Sequence, residues 1–166
     1  MSSTATPPEA PQSGPSGAEL HWRALEGLYA SAPINQLFRS QLTVTGAGRA
    51  RIVFPVEQSA FHAAGAAHGT IYFKMLDDAA FYAANPLVTD RFLLTTAFNL
   101  HLSKPIRGGI VTAEGHWVSG RRRVLVAESR LLDEEGEEVG RGTGTFMRSR
   151  IALSGLAGYS PIPAEG

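Results

Sequence analysis

The spacing of hydrophobic residues changes along the chain and predicts where helices and strands lie. From Ala18 to Ser31 apolar residues recur every three or four positions, which predicts a first helix that ends before Pro33. Two short alternating runs then flank Gly46-Ala47-Gly48 and predict a β-hairpin within QLFRSQLTVTGAGRARIVFPV. The stretch from Ala66 to Asn85 is apolar over one wide arc of a helical projection, so it predicts a long central helix.

Four strand-like runs follow the central helix and are separated by glycine or charged turns. The predicted strands are Phe92 to Leu102, Ile110 to Val118, Val124 to Leu132 and Val139 to Met147. Strands grouped after one helix favour an α+β fold in which an antiparallel sheet packs on that helix, and we expect these four strands to form a meander.

The last predicted strand has an unusual face, because Gly140, Gly142 and Gly144 recur at every second position. One side of the strand is therefore nearly bare. Such a face either admits the close approach of a helix or another backbone segment, or it marks a weak, bulged strand.

Length and composition favour one globular domain with extended ends. The chain has 166 residues, of which 43% are hydrophobic, enough for a single core. Residues 1–17 are rich in Pro, Ser, Ala and Gly and predict a disordered N-terminal tail. Residues 18–150 predict the domain, and residues 151–166 predict a C-terminal tail.

The balance of charges and the absence of cysteine exclude several function classes. The 15 acidic and 15 basic residues cancel, which argues against nucleic acid or an anionic membrane as a partner. Without cysteine the chain has no disulfide, thiolate nucleophile or Cys-ligated zinc. No apolar stretch approaches the ~18 residues of a membrane span, and the first residues lack a secretory pattern. We therefore expect a soluble, cytoplasmic protein.

Two adjacent aspartates interrupt the apolar central helix. On a helical projection Asp78 falls opposite the apolar arc, four residues after Lys74, and is explained as a solvated residue or an ion-pair partner of that lysine. Asp77 lies at the edge of the arc and beyond the first turn, so the helix macrodipole does not stabilise its charge. A carboxylate there is costly without a partner. Asp77 is therefore either a functional residue or an edge residue that hydrogen-bonds a neighbouring strand.

The central helix begins near His68-Gly69-Thr70. Gly69 permits the close approach of another group, and Thr70 is a suitable N-cap residue. The free backbone N–H groups at such a helix start form a site for an anion or an oxyanion. Because this start and Asp77 lie about 10 Å apart along the helix axis, one small substrate can use both only if the site is assembled from two chains.

The sequence from about Leu42 to Met147 resembles the hotdog-fold acyl-CoA thioesterases of the phenylacetate-pathway (PaaI-type) branch. The resemblance rests on His68-Gly69-Thr70, on Asp77 nine residues after His68, and on the strand LLTTAFNLHLSKPI. The usual HGG of that family is HGT here, which keeps the first glycine. The resemblance implies a hotdog fold, in which a long central helix is wrapped by a curved antiparallel β-sheet and two such units pair their sheets.

The resemblance also implies roles for individual residues. Asp77 matches the catalytic carboxylate, which either activates water as a general base or attacks the thioester directly. Gly69 matches the glycine whose backbone N–H polarises the thioester carbonyl. Thr95 lies where the family often has a Ser or Thr that holds the attacking water. Strand alternation by itself places Thr95 on the face opposite Phe98, so it supports this role only weakly.

Histidine and arginine residues complete the predicted site. His62 occupies a position where the family often has Asn; it either donates a hydrogen bond to the carbonyl or water, acts as a base, or is only a loop histidine. His68 is expected to form a structural hydrogen bond and, with Thr70, to border the substrate site. The basic cluster Arg121-Arg122-Arg123 either binds the phosphates of coenzyme A or forms a solvated turn.

The resemblance implies a homodimer or a homotetramer built as a dimer of dimers. In relatives the Asp and the Ser or Thr come from one subunit, whereas the Asn and the Gly come from the other. The site would then lie across the interface between two copies. We expect no cofactor and no metal, since His101 and His116 have no metal-like spacing with nearby residues.

Three functions are consistent with these residues. The leading prediction is an acyl-CoA thioesterase that hydrolyses an acyl-CoA thioester to the free carboxylic acid and CoA. One alternative is a hotdog hydratase or dehydratase that uses His62 with Asp77 as an acid/base pair, although the glycine- and proline-rich loop usual around that histidine is missing. The other alternative is a module that binds acyl-CoA without turning it over.

Overall fold

A computed structural model of the chain, which describes residues 14–161, shows one antiparallel sheet around a central helix. This architecture is the hotdog fold, so the predicted α+β class is confirmed. The helices are α1 (Gly17–Ser31), α2 (Pro33–Phe38) and α3 (Gly69–Ala84), and the strands are β1 (Gln41–Gly46), β2 (Arg49–Val56), β3 (Arg91–Leu102), β4 (Gly109–Ser119), β5 (Val124–Leu132) and β6 (Glu138–Ala152).

The strand order in the sheet is β1-β2-β4-β5-β6-β3. The predicted meander is therefore wrong at one strand, because β3 lies at the sheet edge beside β6 while β4 pairs with β2. The connection 103–108 carries the chain from one edge to the middle of the sheet and passes the start of α3. Ile106 anchors this connection, since its side chain is buried and its carbonyl accepts a hydrogen bond from the Ala67 N–H at 2.8 Å.

Helix α3 sits very close to the sheet at two points. A methyl group on Gly115 of β4 would lie 1.9 Å from the carbonyl oxygen of Ala79, so only glycine fits there. The Ser129 hydroxyl on β5 donates a hydrogen bond of 2.7 Å to the carbonyl oxygen of Leu76. These two contacts fix the distance and rotation of α3 relative to the sheet within one turn of Asp77.

The bare face of β6 is used for close packing. Carbon atoms of Tyr72 and Leu76 lie 3.4 and 3.7 Å from where a Gly140 side chain would begin, and the Phe98 ring fills the space above Gly142 and Gly144. The register of β6 with both neighbours is continuous across the three glycines. Of the two explanations left open by the sequence, the structure supports close approach.

The N-terminal region differs from the prediction at two places. Helix α1 begins at Gly17, because Ser16 and Glu19 form a reciprocal capping box at its start. Pro33 does not lead into a strand but occupies the first turn of α2, where its missing N–H is not needed. The predicted hairpin is therefore confirmed only from Gln41 onwards. The predicted disordered tail, residues 1–17, lies outside the described residues except for 14–17.

The segment after residue 150 packs on the domain. Strand β6 runs to Ala152, and the Leu153 side chain that follows is fully buried. The Tyr159 hydroxyl lies 2.7 Å from Nδ1 of the buried His21 on α1. The last described residues thus pack against α1.

Candidate functional site

Asp77 is half-buried on the side of α3 that faces the edge strand β3. One of its carboxylate oxygens, Oδ1, accepts a hydrogen bond of 3.0 Å from the Thr95 hydroxyl. Burial raises the pKa of Asp77 to about 6; the Thr95 bond and Lys74 lower it, and the neighbouring Asp78 raises it. A carboxylate with this pKa is mostly ionised at neutral pH and is basic enough to accept a proton from water.

A β-bulge brings Thr95 to Asp77. Thr95 lies opposite Phe146 of β6, whereas Ala97 lies opposite Thr145, so β3 contains one extra residue between them. Simple strand alternation predicted Thr95 on the face opposite Phe98. This prediction is wrong, because the extra residue lets both side chains face α3.

Asp78 also differs from its predicted surroundings. Its ion pair with Lys74 is present, but the pair is not solvated, because α1 and α2 cover this side of α3. The Lys74 ammonium donates a hydrogen bond of 2.7 Å to Oδ1 of Asn35 and lies 5.6 Å from the ring centres of Tyr29 and Phe38. Burial raises the pKa of Asp78, while Lys74 and hydrogen bonds lower it.

Aromatic rings flank Asp77 along the line where α3 meets β3. One turn before it, Phe73 packs edge-on against Phe98 with ring centres 5.7 Å apart. One turn after it, Phe81 packs against Phe92 at 5.0 Å. Asp77 with Thr95 is thus a polar contact between two apolar ones. The i, i+4 spacing of Phe73, Asp77 and Phe81 was visible in the sequence, but their partners on β3 were not.

The start of α3 is capped by His68 and not by Thr70. Nδ1 of His68 accepts a hydrogen bond of 3.2 Å from the Thr70 N–H, which makes Thr70 the second residue of the helix. The His68 ring is therefore occupied by a structural hydrogen bond. Among the described residues no acceptor lies within hydrogen-bonding reach of the Gly69 N–H, which remains free at the helix start.

His62 lies beside this helix start. His62 and Gly69 line one cavity of about 280 Å³, together with Tyr72 and the segment 102–105. Nδ1 of His62 accepts a hydrogen bond of 3.1 Å from the Ala64 N–H. In the neutral ring the proton therefore sits on Nε2, so the side chain offers a donor.

The predicted site residues fall into two groups on each chain. Asp77 and Thr95 form one group, and His62, His68, Gly69 and Thr70 form the other. Gly69 and Asp77 are eight residues apart on one helix, about 12 Å along the axis. Within a single chain the two groups cannot act on the same carbonyl carbon.

The predicted basic cluster belongs to the Asp77 side of the chain. Arg121, Arg122 and Arg123 form the β4–β5 turn, and two residues further on Leu125 shares a row of the sheet with Phe146 and Thr95. The Arg121 guanidinium stacks on the Trp117 ring at 4.9 Å. The opposite end of β4 is about 35 Å away along the strand and follows the connection 103–108, part of which lines the cavity beside Gly69.

A larger groove of about 420 Å³ lies on the outer face of the sheet, away from α3. Its lining is charged and includes the ion pair of Arg130 with Glu114, along with His101 and His116. Within residues 14–161 no three His, Asp or Glu side chains are grouped as metal ligands. None of the helices described is long and apolar enough to cross a membrane.

The chain is similar to one family model and to several solved structures. Residues 64–140 match the model of the thioesterase superfamily. The structure is similar to the PaaI protein from the phenylacetic acid degradation operon of E. coli, with a TM-score of 0.75 and 17% identity over 82% of this chain and 99% of that one. No curated protein matches the chain.

Two further solved structures are similar. A thioesterase from Haemophilus influenzae has a TM-score of 0.68 and 18% identity over 74% of this chain and 86% of that one. A mutant of the phenylacetic acid degradation protein PaaI from Thermus thermophilus has a TM-score of 0.65 and 22% identity over 71% of this chain and 100% of that one. These comparisons confirm the hotdog fold and the predicted resemblance to PaaI-type hotdog thioesterases.

Proposed function

We propose that this chain hydrolyses acyl-CoA thioesters to the free carboxylic acid and CoA, with Asp77 as the general base or the nucleophile. The observation that carries the proposal is the Asp77 carboxylate, half-buried between two aromatic pairs and held at one oxygen by Thr95. Its other oxygen is left for a water or a thioester carbon. The likeness to thioesterases supports this chemistry.

Both forms of the reaction use the same groups. As a base, Asp77 takes a proton from water, the hydroxide attacks the carbonyl carbon, and the C–S bond breaks as the thiolate leaves and is protonated. As a nucleophile, Asp77 attacks the carbonyl carbon, the C–S bond breaks as the CoA thiolate leaves and is protonated, and water then hydrolyses the acyl anhydride to the free acid and the Asp77 carboxylate. In either case the negative oxygen of the tetrahedral intermediate is stabilised by the Gly69 N–H and by Nε2–H of His62.

The complete site requires a second copy of the chain. Asp77 and Thr95 of one copy act on a carbonyl held by Gly69 and His62 of the other, since about 12 Å of helix separates the two groups within one chain. We therefore propose a homodimer as the smallest active unit, alone or within a tetramer. His68 and Thr70 border the substrate through the helix start that they shape.

The arginine turn suits the phosphates of CoA. Arg121, Arg122 and Arg123 are exposed, and planar guanidinium groups bind phosphate through paired hydrogen bonds. We propose that this turn binds the nucleotide end of CoA. We also propose that the protein is located in the cytoplasm.

Thiol release from a panel of short, medium, long and aryl acyl-CoAs tests the activity. We expect thiol release from at least one class of acyl-CoA and no loss of enoyl absorbance. Binding of acyl-CoA without any turnover would contradict the proposal and favour a binding module. Loss of enoyl absorbance without thiol release would favour a hydratase.

Pairing two inactive variants tests the shared site. Asp77→Asn and Gly69→Pro, co-expressed with different tags and purified over both, give a dimer with one intact and one doubly altered site. We expect about half the activity of the unmodified dimer. The control is the corresponding dimer of Asp77→Asn with Asp77→Ala, which has no intact site. Equal inactivity of both preparations would refute a site shared between chains.

A further inference from the structure

The sequence Thr95-Thr96 at the bulge permits two arrangements of β3. Leu94 pairs with Met147 and Ala97 with Thr145, so two threonines occupy the space opposite the single residue Phe146. Because successive strand residues point to opposite faces, whichever threonine lies opposite Phe146 faces α3. The other threonine is the bulged residue.

The observed arrangement satisfies both hydroxyl groups. The Thr95 hydroxyl donates to Asp77 at 3.0 Å, and the Thr96 hydroxyl donates to the main-chain carbonyl of Thr145 at 3.1 Å. Thr145 is the residue of β6 at which the register shifts. Thr96 therefore binds the neighbouring strand at the same point where the extra residue disrupts the ladder.

We propose that Thr96 is a positioning residue, whose hydroxyl anchors the bulge and so keeps Thr95 directed at Asp77. Within the chain Thr96 is exposed, its hydroxyl bonds the Thr145 carbonyl and it does not line the cavity beside Gly69, so we expect it to act on Asp77 through Thr95. This inference rests on the proposed function for its catalytic meaning, but its structural content does not depend on the reaction.

Carbon-13 NMR of the Asp77 carboxyl group provides the direct test. The signal is assigned by its loss in Asp77→Asn, and its titration midpoint is compared among Thr96→Val, Thr96→Ser and Thr95→Val. Since the Thr95 bond lowers the pKa of Asp77, we expect Thr95→Val to raise the midpoint and Thr96→Val to raise it in the same direction by no more than that. Thr96→Ser keeps the hydroxyl and should titrate as the unmodified protein does.

Thr43→Val serves as the matched control, because Thr43 is an exposed threonine on the other edge strand, β1. It should leave the Asp77 midpoint unchanged. If Thr96→Val lowers the unfolding temperature but leaves the midpoint where it is, the residue is only structural and the inference is wrong.

In the same variants, the pH at which kcat/KM falls on the acidic side should shift in the same direction as the NMR titration midpoint. An NMR shift in a protein that releases no thiol from any acyl-CoA would uphold the positioning role and refute the proposed function. Thiol release by the unmodified protein without any NMR shift in Thr96→Val would uphold the proposed function and refute the positioning role.

Discussion

The two sides of α3 carry adjacent aspartates in opposite situations. On the side covered by α1 and α2, Asp78 is paired with Lys74, and its charge is balanced within the fold. On the side facing β3, Asp77 has a hydroxyl partner and a free oxygen, and its pKa is raised to about 6. Lys74 offsets part of the burial cost of Asp78, whereas Asp77 keeps its burial cost with only a hydroxyl partner.

The largest expected effect is that of Asp77→Asn. It should reduce kcat/KM by about a thousandfold or more, because Asn neither accepts the proton nor attacks the thioester. The same change should raise the free energy of unfolding at pH 7 by about 1 kcal/mol, since it removes a charge destabilised by burial. Thiol release and thermal unfolding measure the two effects. A variant that loses activity together with stability would indicate misfolding and not chemistry.

Gly69→Pro is expected to have the next largest effect. Gly69 is the first residue of α3, and His68 before it has φ −65° and ψ 147°, a conformation compatible with a following proline. The change thus removes the free N–H with little strain and should lower kcat by about a hundredfold or more. Gly69→Ala keeps the N–H and is the control, since its methyl group would meet only a Leu102 carbon at 3.7 Å. Equal losses in both variants would argue against the N–H as the cause.

Asp78→Asn tests the covered side. It leaves the Lys74 ammonium without its charged partner in a half-buried place and should cost about 2 kcal/mol of unfolding free energy. Activity per folded molecule should fall far less than in Asp77→Asn. Urea unfolding measures the free energy of unfolding, and thiol release measures the activity of the folded protein. A loss of kcat as large as that of Asp77→Asn, in folded protein, would remove the distinction between the two aspartates.

The pH dependence of activity should follow Asp77. With a pKa of about 6 the reactive carboxylate is lost as the pH falls, so kcat/KM should be level above pH 7 and decline about tenfold per unit below pH 6. The contribution of Asp77 to stability should change with pH in the opposite direction. Because the folded-state pKa exceeds the ordinary value of 3.8, the contribution of Asp77 is most favourable below pH 3.8 and is lost as the pH rises to 6. Asp77→Asn should lack that part of the stability profile.

Much of the fold was predictable, because its signals are local. The period of α3 and the alternation in β4, β5 and β6 follow from side-chain spacing alone. The start of α1 was also encoded locally, in the Ser16-x-x-Glu19 capping pattern. The position of β3 beside β6 was not, since no local property of β3 specifies its neighbour.

The residues of the candidate site could be proposed from the sequence, whereas their arrangement could not be predicted. Asp77 could be singled out from its helical angle, and Gly69 from its place at a helix start. The bulge at Thr96 could not, because it depends on the pairing of two strands about 50 residues apart. The burial of Asp78 likewise depends on α1 and α2, which reach α3 only through the tertiary fold.

Gly115 constrains where α3, and therefore Asp77, can lie on the sheet. Its backbone is in contact with the Ala79 carbonyl, so any larger residue would push α3, and Asp77 with it, away from β4. The glycine beneath the helix therefore tolerates no side chain. A residue without any functional group of its own thus limits how far the position of Asp77 on the sheet can vary.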